Sequence, residues 1–320
     1  MLLSEFDIIE QIFNITPGAG RHVICGIGDD AAIVEVPTGH QLVVSTDTLV
    51  SGVHFFPDAA PFDIGYKSIA VNLSDLAAMA ATPLWATLSL TLPDNTPAWI
   101  KEFAEGFFQL ANKHGVTLIG GDLTHGPLSI TIQLMGIVPD NKALTRSSAQ
   151  PDDNIYVTGQ LGLAGLALAI LTGENKVYAE PPADCLQRLL WPVPRVELAI
   201  AFRDIANAAI DISDGLAADL GHIVKLSEVG AEVELAKIPV SDELRKLDRD
   251  EMWRYATGSG DDYELCFTAA EEYEPALAEL AKVNNILITK IGRINRYSGI
   301  RWLAPDGIEV PLTGTGYRHF

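Results

Sequence analysis

The residues of this chain best suited to chemistry are short carboxylates set among glycines and hydroxyls. Four times an apolar, strand-like segment runs into small residues and an aspartate: Val43-Val44-Ser45-Thr46-Asp47, Leu118-Ile119-Gly120-Gly121-Asp122, Ile210-Asp211-Ile212-Ser213-Asp214 and Thr257-Gly258-Ser259-Gly260-Asp261-Asp262. Gly28-Asp29-Asp30 adds another pair. A single aspartate in such a place is ordinarily a turn former that bonds its own backbone. Adjacent carboxylates repel, and they are stabilised together mainly by cations. Aspartate with Ser and Thr makes a hard oxygen donor set, suited to Mg²⁺ or Mn²⁺ and not to zinc or copper. Strand ends hold side chains rigidly beside solvent, and neighbouring glycines let a ligand approach the backbone. The chemistry this pattern points to is divalent-ion-assisted handling of an anionic ligand.

The overall charge narrows the partners. The 320 residues carry 22 Lys+Arg against 42 Asp+Glu, a net charge of −20. Residues 1–140 hold only Arg21, Lys67, Lys101 and Lys113 as cations against fifteen acids. Nucleic-acid phosphates and anionic membranes are bound through Lys and Arg, so neither is an expected partner. Met1 to Phe13 carries Glu5, Asp7 and Glu10 in place of a basic leader, and no apolar run reaches the roughly 18 residues of a membrane span, so a cytoplasmic protein is expected. Cys25, Cys185 and Cys266 are far apart and lack metal-ligand spacing, which reads as small hydrophobes in a reducing compartment.

Familiar phosphate-binding devices are absent. There is no G-x-x-x-x-G-K-[ST], no H-R-D or D-F-G, and no G-x-S-x-G. Gly26-Ile27-Gly28-Asp29-Asp30-Ala31 fits the dinucleotide fingerprint G-x-G-x-x-A, with Asp47 downstream. The next segment, Ala32-Ile33-Val34-Glu35-Val36-Pro37, is β-branched and stopped by proline, where the fingerprint needs a helix. A nicotinamide enzyme is therefore a poor second reading.

The elements that must position these residues are mixed. Strand-like runs lie at 23–27, 32–36, 42–46, 85–92, 117–119, 130–138, 155–158, 208–212, 231–235, 263–268 and 286–291. Helical patterns lie at 61–81, 97–114, 163–171, 195–206, 215–228 and 272–283. Strands dominate first and helices interleave later, which predicts an α+β or mixed α/β fold. The polar, turn-rich stretch from Asp140 to Asp153 is the expected boundary, dividing the chain into domains at 1–140 and 151–320.

With these residues in view, a family likeness emerges. Gly26-Ile27-Gly28-Asp29-Asp30-Ala31, Ser45-Thr46-Asp47-Thr48-Leu49-Val50, His54-Phe55, residues 67–79 with Asn72-Leu73-Ser74-Asp75-Leu76, Gly120-Gly121-Asp122, Leu144-Thr145-Arg146-Ser147, Asp211-Ile212-Ser213-Asp214-Gly215-Leu216 and Asp262-Tyr263-Glu264-Leu265 resemble, in order and spacing, the thiamine-monophosphate kinase family. That family sits in the aminoimidazole-ribonucleotide-synthetase-like superfamily of ATP-using enzymes. The resemblance implies an N-terminal sheet domain that binds ATP and magnesium and pairs into a dimeric barrel, with a C-terminal α/β domain completing the active site. It implies several Mg²⁺ ions on Asp30, Ser45, Thr46, Asp47, Asp75, Asp122, Asp211 and Asp214. ATP would meet Gly121, Asp122, Arg146 and Ser213, with Arg146 stabilising phosphate charge, and thiamine monophosphate would meet His54, Asp261 and Tyr317. The partners implied are these two small molecules and a second copy of the chain. Two positions depart from the family pattern: Asp261 stands where Glu is usual, and Leu123 where Thr is usual.

The implied reaction is consistent with the composition. Two unit charges 4 Å apart interact by about 1 kcal/mol even in bulk water, so joining ATP and a phosphomonoester, both multiply anionic, in a cation-poor domain requires divalent ions. No general base is expected, because a phosphomonoester with a second pKa near 6 is already mostly dianionic at neutral pH. Two alternatives stay open on the residues alone: another ATP-using member of the superfamily, and a non-catalytic divalent-ion or nucleotide-binding regulator.

Overall fold

The computed structural model describes residues 5–14, 20–312 and 316–317. The chain divides into two compact units, Met1–Leu76 with Ala81–Asn141, and Ala77–Ala80 with Lys142–Phe320.

The first unit runs α1 (Glu5–Ile8) into a π-helical turn (Ile9–Phe13), then β1 (Val23–Cys25), β2 (Ile33–Val34), β3 (His40–Val50), α2 (Pro61–Ala78), β4 (Thr82–Leu92), α3 (Pro97–Lys113), β5 (Thr117–His125) and β6 (Ser129–Pro139). Both long helices open on proline, which suits a first-turn position because its missing N–H has no helical partner there. The main sheet has the order β3-β6-β4-β5, so β3 and β5 are its outer strands. β3/β6 and β6/β4 are antiparallel, and β4/β5 are parallel because α3 crosses over between them.

Period-two alternation gives this sheet one apolar face. Leu88, Leu90, Ile130, Ile132 and Leu134 are buried, as are Ile69, Leu73 and Leu76 of α2 and Phe103, Phe107 and Leu110 of α3. The helices meet backbone to backbone through two glycines. A Cβ on Gly65 would lie 2.0 Å from the Phe103 carbonyl oxygen, and one on Gly106 2.0 Å from that of Phe62. On the other face Trp85, Leu84 and Ile119 form a small cluster with Val23, Val34 and Met135, capped by a Trp85 Nε1–H bond to the Arg21 carbonyl of 2.8 Å. Leu42 and Val44 on that face are 46% and 48% exposed.

The second unit runs β7 (Asn154–Thr158), α4 (Leu163–Leu171), α5 (Ala183–Leu190), α6 (Val196–Phe202), β8 (Ala206–Asp211), α7 (Leu216–Leu226), β9 (Gly230–Glu234), α8 (Asp242–Arg245), α9 (Arg249–Gly258), β10 (Leu265–Ala269), α10 (Glu274–Asn284), β11 (Ile288–Asn295) and β12 (Gly299–Leu303). Its sheet has the order β12-β9-β11-β7-β10-β8, antiparallel except for β12 on β9. β7 and β10 are buried along their whole length. One face packs Ile155, Val157, Ile210 and Cys266 among Leu163, Leu166, Leu220 and Ile223. The other stacks Phe267 between Tyr156 and Phe202, with ring centroids 5.3 and 4.4 Å apart.

Several elements differ from the sequence expectation. β3 and β5 extend past the expected ends, so Asp47 and Asp122 lie inside strands and not at their termini. The 195–206 helix stops at Phe202 and its last expected residue, Ala206, opens β8. α5, α8, α9 and β12 were not expected. α9 is dense in charge, yet it buries Trp253, Tyr255 and Ala256 in the core of this unit, and Asp248 caps it by accepting the Asp250 and Glu251 amides at 3.1 and 3.0 Å.

The glycine crossing gives a direct test. Gly65→Ala and Gly106→Ala are expected to lower the thermal midpoint, each costing at least the ~1–3 kcal/mol of ordinary overpacking, because rigid backbone blocks the new methyl. Gly221→Ala in α7, where a Cβ would meet nothing within 4 Å, is expected to raise it. Calorimetric scans of the three variants check both signs.

Candidate active site

In the first unit, Ser45 and Asp47 are two residues apart on β3 and so share a face, and α2 presents Asp75 to it. Ser45 Oγ–H donates to Asp75 Oδ2. The Asp47 carboxyl is pushed up to about 6, first by burial, then by the Asp75 charge and a hydrogen bond between the two carboxyl groups. Two acids are thus packed with a hydroxyl where at most part of the negative charge is tolerated. A hard cation suits that donor set, since it would replace the shared proton.

Thr46 points to the opposite face, where Gln133 Nε2–H donates to its Oγ1 at 3.5 Å. Only its main chain could act with Ser45 and Asp47. Asp122 stands on this second face too: the ladders align Asp122, Ser89, Thr131 and Thr48 in one row across β5, β4, β6 and β3. Gly121 is obligatory beside it, because a Cβ would lie 1.9 Å from the Leu88 carbonyl oxygen. Asp30 is exposed, its amide donating to Asp29 Oδ1 at 2.8 Å. His54 follows the end of β3, where its Nδ1 accepts the Val50 amide at 2.9 Å, which puts the ring proton on Nε2. Among the described residues, no group of three or more His, Cys, Asp or Glu is arranged to hold a metal ion. The sheet therefore brings Ser45, Asp47 and Asp75 together and keeps Thr46 and Asp122 on its other face.

The second unit gathers its own set. Asp211, buried, is the last residue of β8, and residues 212–215 turn from it into α7. The segment 259–264 runs alongside. The Ser213 carbonyl accepts the Asp261 amide at 2.9 Å, the Ile212 carbonyl accepts the Tyr263 amide at 2.8 Å, and the Glu264 carbonyl accepts the Ile212 amide at 2.8 Å. The tail folds back on the same turn, Tyr317 donating its amide to the Asp214 carbonyl at 3.0 Å with its residue 48% exposed. Asp211, Ser213, Asp214, Asp261 and Tyr317 are therefore neighbours. Arg146 is exposed, and its charge offsets only a small part of the upward push that burial and the Asp214 charge give the Asp219 carboxyl.

The Asp261 segment is conformationally costly. Asp261 and Tyr263 have φ of +67° and +48°, a region L-residues with side chains seldom occupy. Buried anchors hold it there. Both Asp262 oxygens accept the Gly162 amide, at 3.0 and 2.9 Å. Glu264, 1% exposed, accepts Arg195 Nε–H and Thr158 Oγ–H at 2.6 Å each and pairs with Arg188. Asp219, Arg188 and Arg195 escaped the sequence reading; an acid in the first turn of an expected helix was the only available signal for Asp219.

The family models that match are those of AIR synthase related protein, its N-terminal domain over residues 28–138 and its C-terminal domain over residues 150–301. The chain is 46% identical over 323 residues to a thiamine-monophosphate kinase of Escherichia coli, covering 100% of this chain and 99% of that protein. The chain belongs to the thiamine-monophosphate kinase family. A crystal structure of the thiamine-monophosphate kinase from Stenotrophomonas maltophilia has 45% identity, covers 97% of this chain and 99% of its own, and gives a TM-score of 0.86. AaThiL complexed with AMPPCP and TMP has 32% identity, covers 99% and 97%, and gives a TM-score of 0.77.

For this member of the thiamine-monophosphate kinase family, the acid pair predicts an inverted stability profile without metal. The Asp47 carboxyl moves from 3.8 to about 6 on folding, so the folded state holds the proton more tightly. Its contribution is present below the unfolded value and lost as the pH rises through the folded one. In chelator-treated protein at pH near 7.5, Asp47→Asn is expected to raise stability, by ~1–3 kcal/mol. Thermal melts across that range check it, and a lower midpoint for the variant would overturn the repulsion.

Proposed function

We infer that the protein transfers the γ-phosphoryl group of ATP to thiamine monophosphate, giving thiamine diphosphate and ADP. The observation that carries this is the full-length likeness to thiamine-monophosphate kinases, one relative of which was solved with AMPPCP and TMP. A phosphate oxygen of thiamine monophosphate attacks the γ-phosphorus in line, and the bond from that phosphorus to the β–γ bridging oxygen breaks. The acceptor oxygen is already ionised near neutral pH, so no side chain is assigned as general base. Catalysis rests on alignment and charge stabilisation.

Asp30, Ser45, Thr46, Asp47, Asp75, Asp122, Asp211 and Asp214 are assigned to Mg²⁺, which when bound supplies charge neutralisation at the phosphates. The crowded Asp47–Asp75 pair supports that assignment. Gly121, Asp122, Arg146 and Ser213 are assigned to ATP, with Arg146 as the phosphate cation. His54, Asp261 and Tyr317 are assigned to thiamine monophosphate; the clustering of Asp261 and Tyr317 on one turn supports this. Residues 1–140 would serve ATP, Mg²⁺ and dimerisation, and residues 151–320 would complete the active site. A cytoplasmic homodimer is the setting proposed. Two outer strands, with Leu42 and Val44 exposed on one of them, support pairing of the sheet with a second copy. No helix among the described residues is long and apolar enough to cross a membrane.

Incubation of the protein with ATP, Mg²⁺ and thiamine monophosphate is expected to give thiamine diphosphate with equimolar ADP, and chelation of the metal to stop it. ATP binding without turnover would favour the regulator reading instead. Asp122→Asn is expected to cut kcat by about 100-fold or more while moving the thermal midpoint by only a few degrees, since a metal-ion carboxylate serves the transition state and not the core. Unchanged turnover at saturating Mg²⁺ would refute its metal assignment.

A further inference from the structure

Asp219 stands in the first turn of α7, five residues past Asp214, and is 3% exposed. A single oxygen, Oδ2, accepts the amide N–H groups of both Asp214, at 3.1 Å, and Gly215, at 3.0 Å. Two successive amides aimed at one point make an anion-binding concavity, which here is filled by the chain's own carboxylate. The turn needs it. Gly215 has φ of +122°, and a Cβ there would come within 3.0 Å of the Gly258 carbonyl carbon and 3.1 Å of the Ser259 oxygen. With both amides drawn inward, the Ser213 and Asp214 carbonyls receive the amides of Asp261 and Tyr317. One buried oxygen therefore sets the turn that carries Ser213 and Asp214 and that docks the segments carrying Asp261 and Tyr317.

We propose that Asp219 is a positioning residue for the phosphoryl transfer inferred above, on which this assignment rests, and that it acts as a doubly accepting oxygen and not through its charge. Three substitutions separate the possibilities. Asp219→Asn keeps an oxygen at the right reach and discards the charge. Asp219→Glu keeps the charge and displaces the oxygen by a methylene. Asp219→Ala removes both. Expected is kcat within about 3-fold of wild type for Asn, and a fall of about 30-fold or more for Glu and Ala, since displacement by about 1 Å can cost 10²-fold. These losses should appear in kcat with KM for ATP changed far less, at a temperature where melts show each variant folded. Hydrogen exchange at the Asp214, Gly215 and Tyr317 amides gives a readout independent of turnover: slow in wild type and Asn, fast in Glu and Ala. If Ala does not fold, the Asn and Glu pair decides. Folded Asn as impaired as Glu, or Glu as active as wild type, overturns the proposal. A wild type that forms no thiamine diphosphate overturns the functional reading instead, and amide exchange then still decides whether Asp219 holds the turn.

Discussion

Repulsion between carboxylates held close together is the constraint on which the rest of this molecule turns. Asp47 and Asp75 share a half-buried site with Ser45, and burial together with mutual charge drives one of them toward its neutral form. Asp219 lies under Asp214 and is pushed up to about 7 by burial and by that neighbour, against two backbone N–H bonds that favour its ionised form. Left alone, such pairs weaken a fold. They persist here because a rigid frame holds them and hydrogen-bond donors face them, the Ser45 hydroxyl at Asp75 and the Asp214 and Gly215 amides at Asp219.

The frame is apolar and close-packed in both units. In the first, α2 bears Asp75 and is locked to α3 through Gly65 and Gly106, while Leu76 of α2 lies against β6. In the second, helices cover both faces of the sheet, so β7 and β10 are buried throughout and the turn after β8 starts from a fixed end. The cost of the left-handed residues Asp261 and Tyr263 is offset by anchors deep in this unit, Asp262 on the Gly162 amide and Glu264 on Arg195. Removing one partner of such a buried ion pair costs more than the pair contributes, which makes these anchors structural commitments of the loop.

Much of the fold could be read from the chain because its signals are local. Apolar strand-like runs marked the long strands, and the helical patterns that open on proline marked α2 and α3. What escaped was weakly periodic or stabilised at a distance: α9 is charged along its sequence and held by burying Trp253 and Tyr255 in the core, and β12 rests on its parallel partner β9. The motif aspartates were legible as a group, but their supports were not. Arg188 and Arg195 look like ordinary surface cations in sequence, and only the fold brings them to Glu264.

The sequence by itself determined the donor chemistry and the class of fold: short carboxylates and hydroxyls with glycines beside them, in a cation-poor half. Both are set by residue type and local spacing. Tertiary structure decided the grouping. It put Ser45 and Asp47 on the α2 face of the sheet and Thr46 with Asp122 on the other, because strand register assigns faces and no local pattern reveals which strands become neighbours. It also made Asp219 the floor of the Asp214 turn, a role set by two amide directions that exist only once the chain has folded.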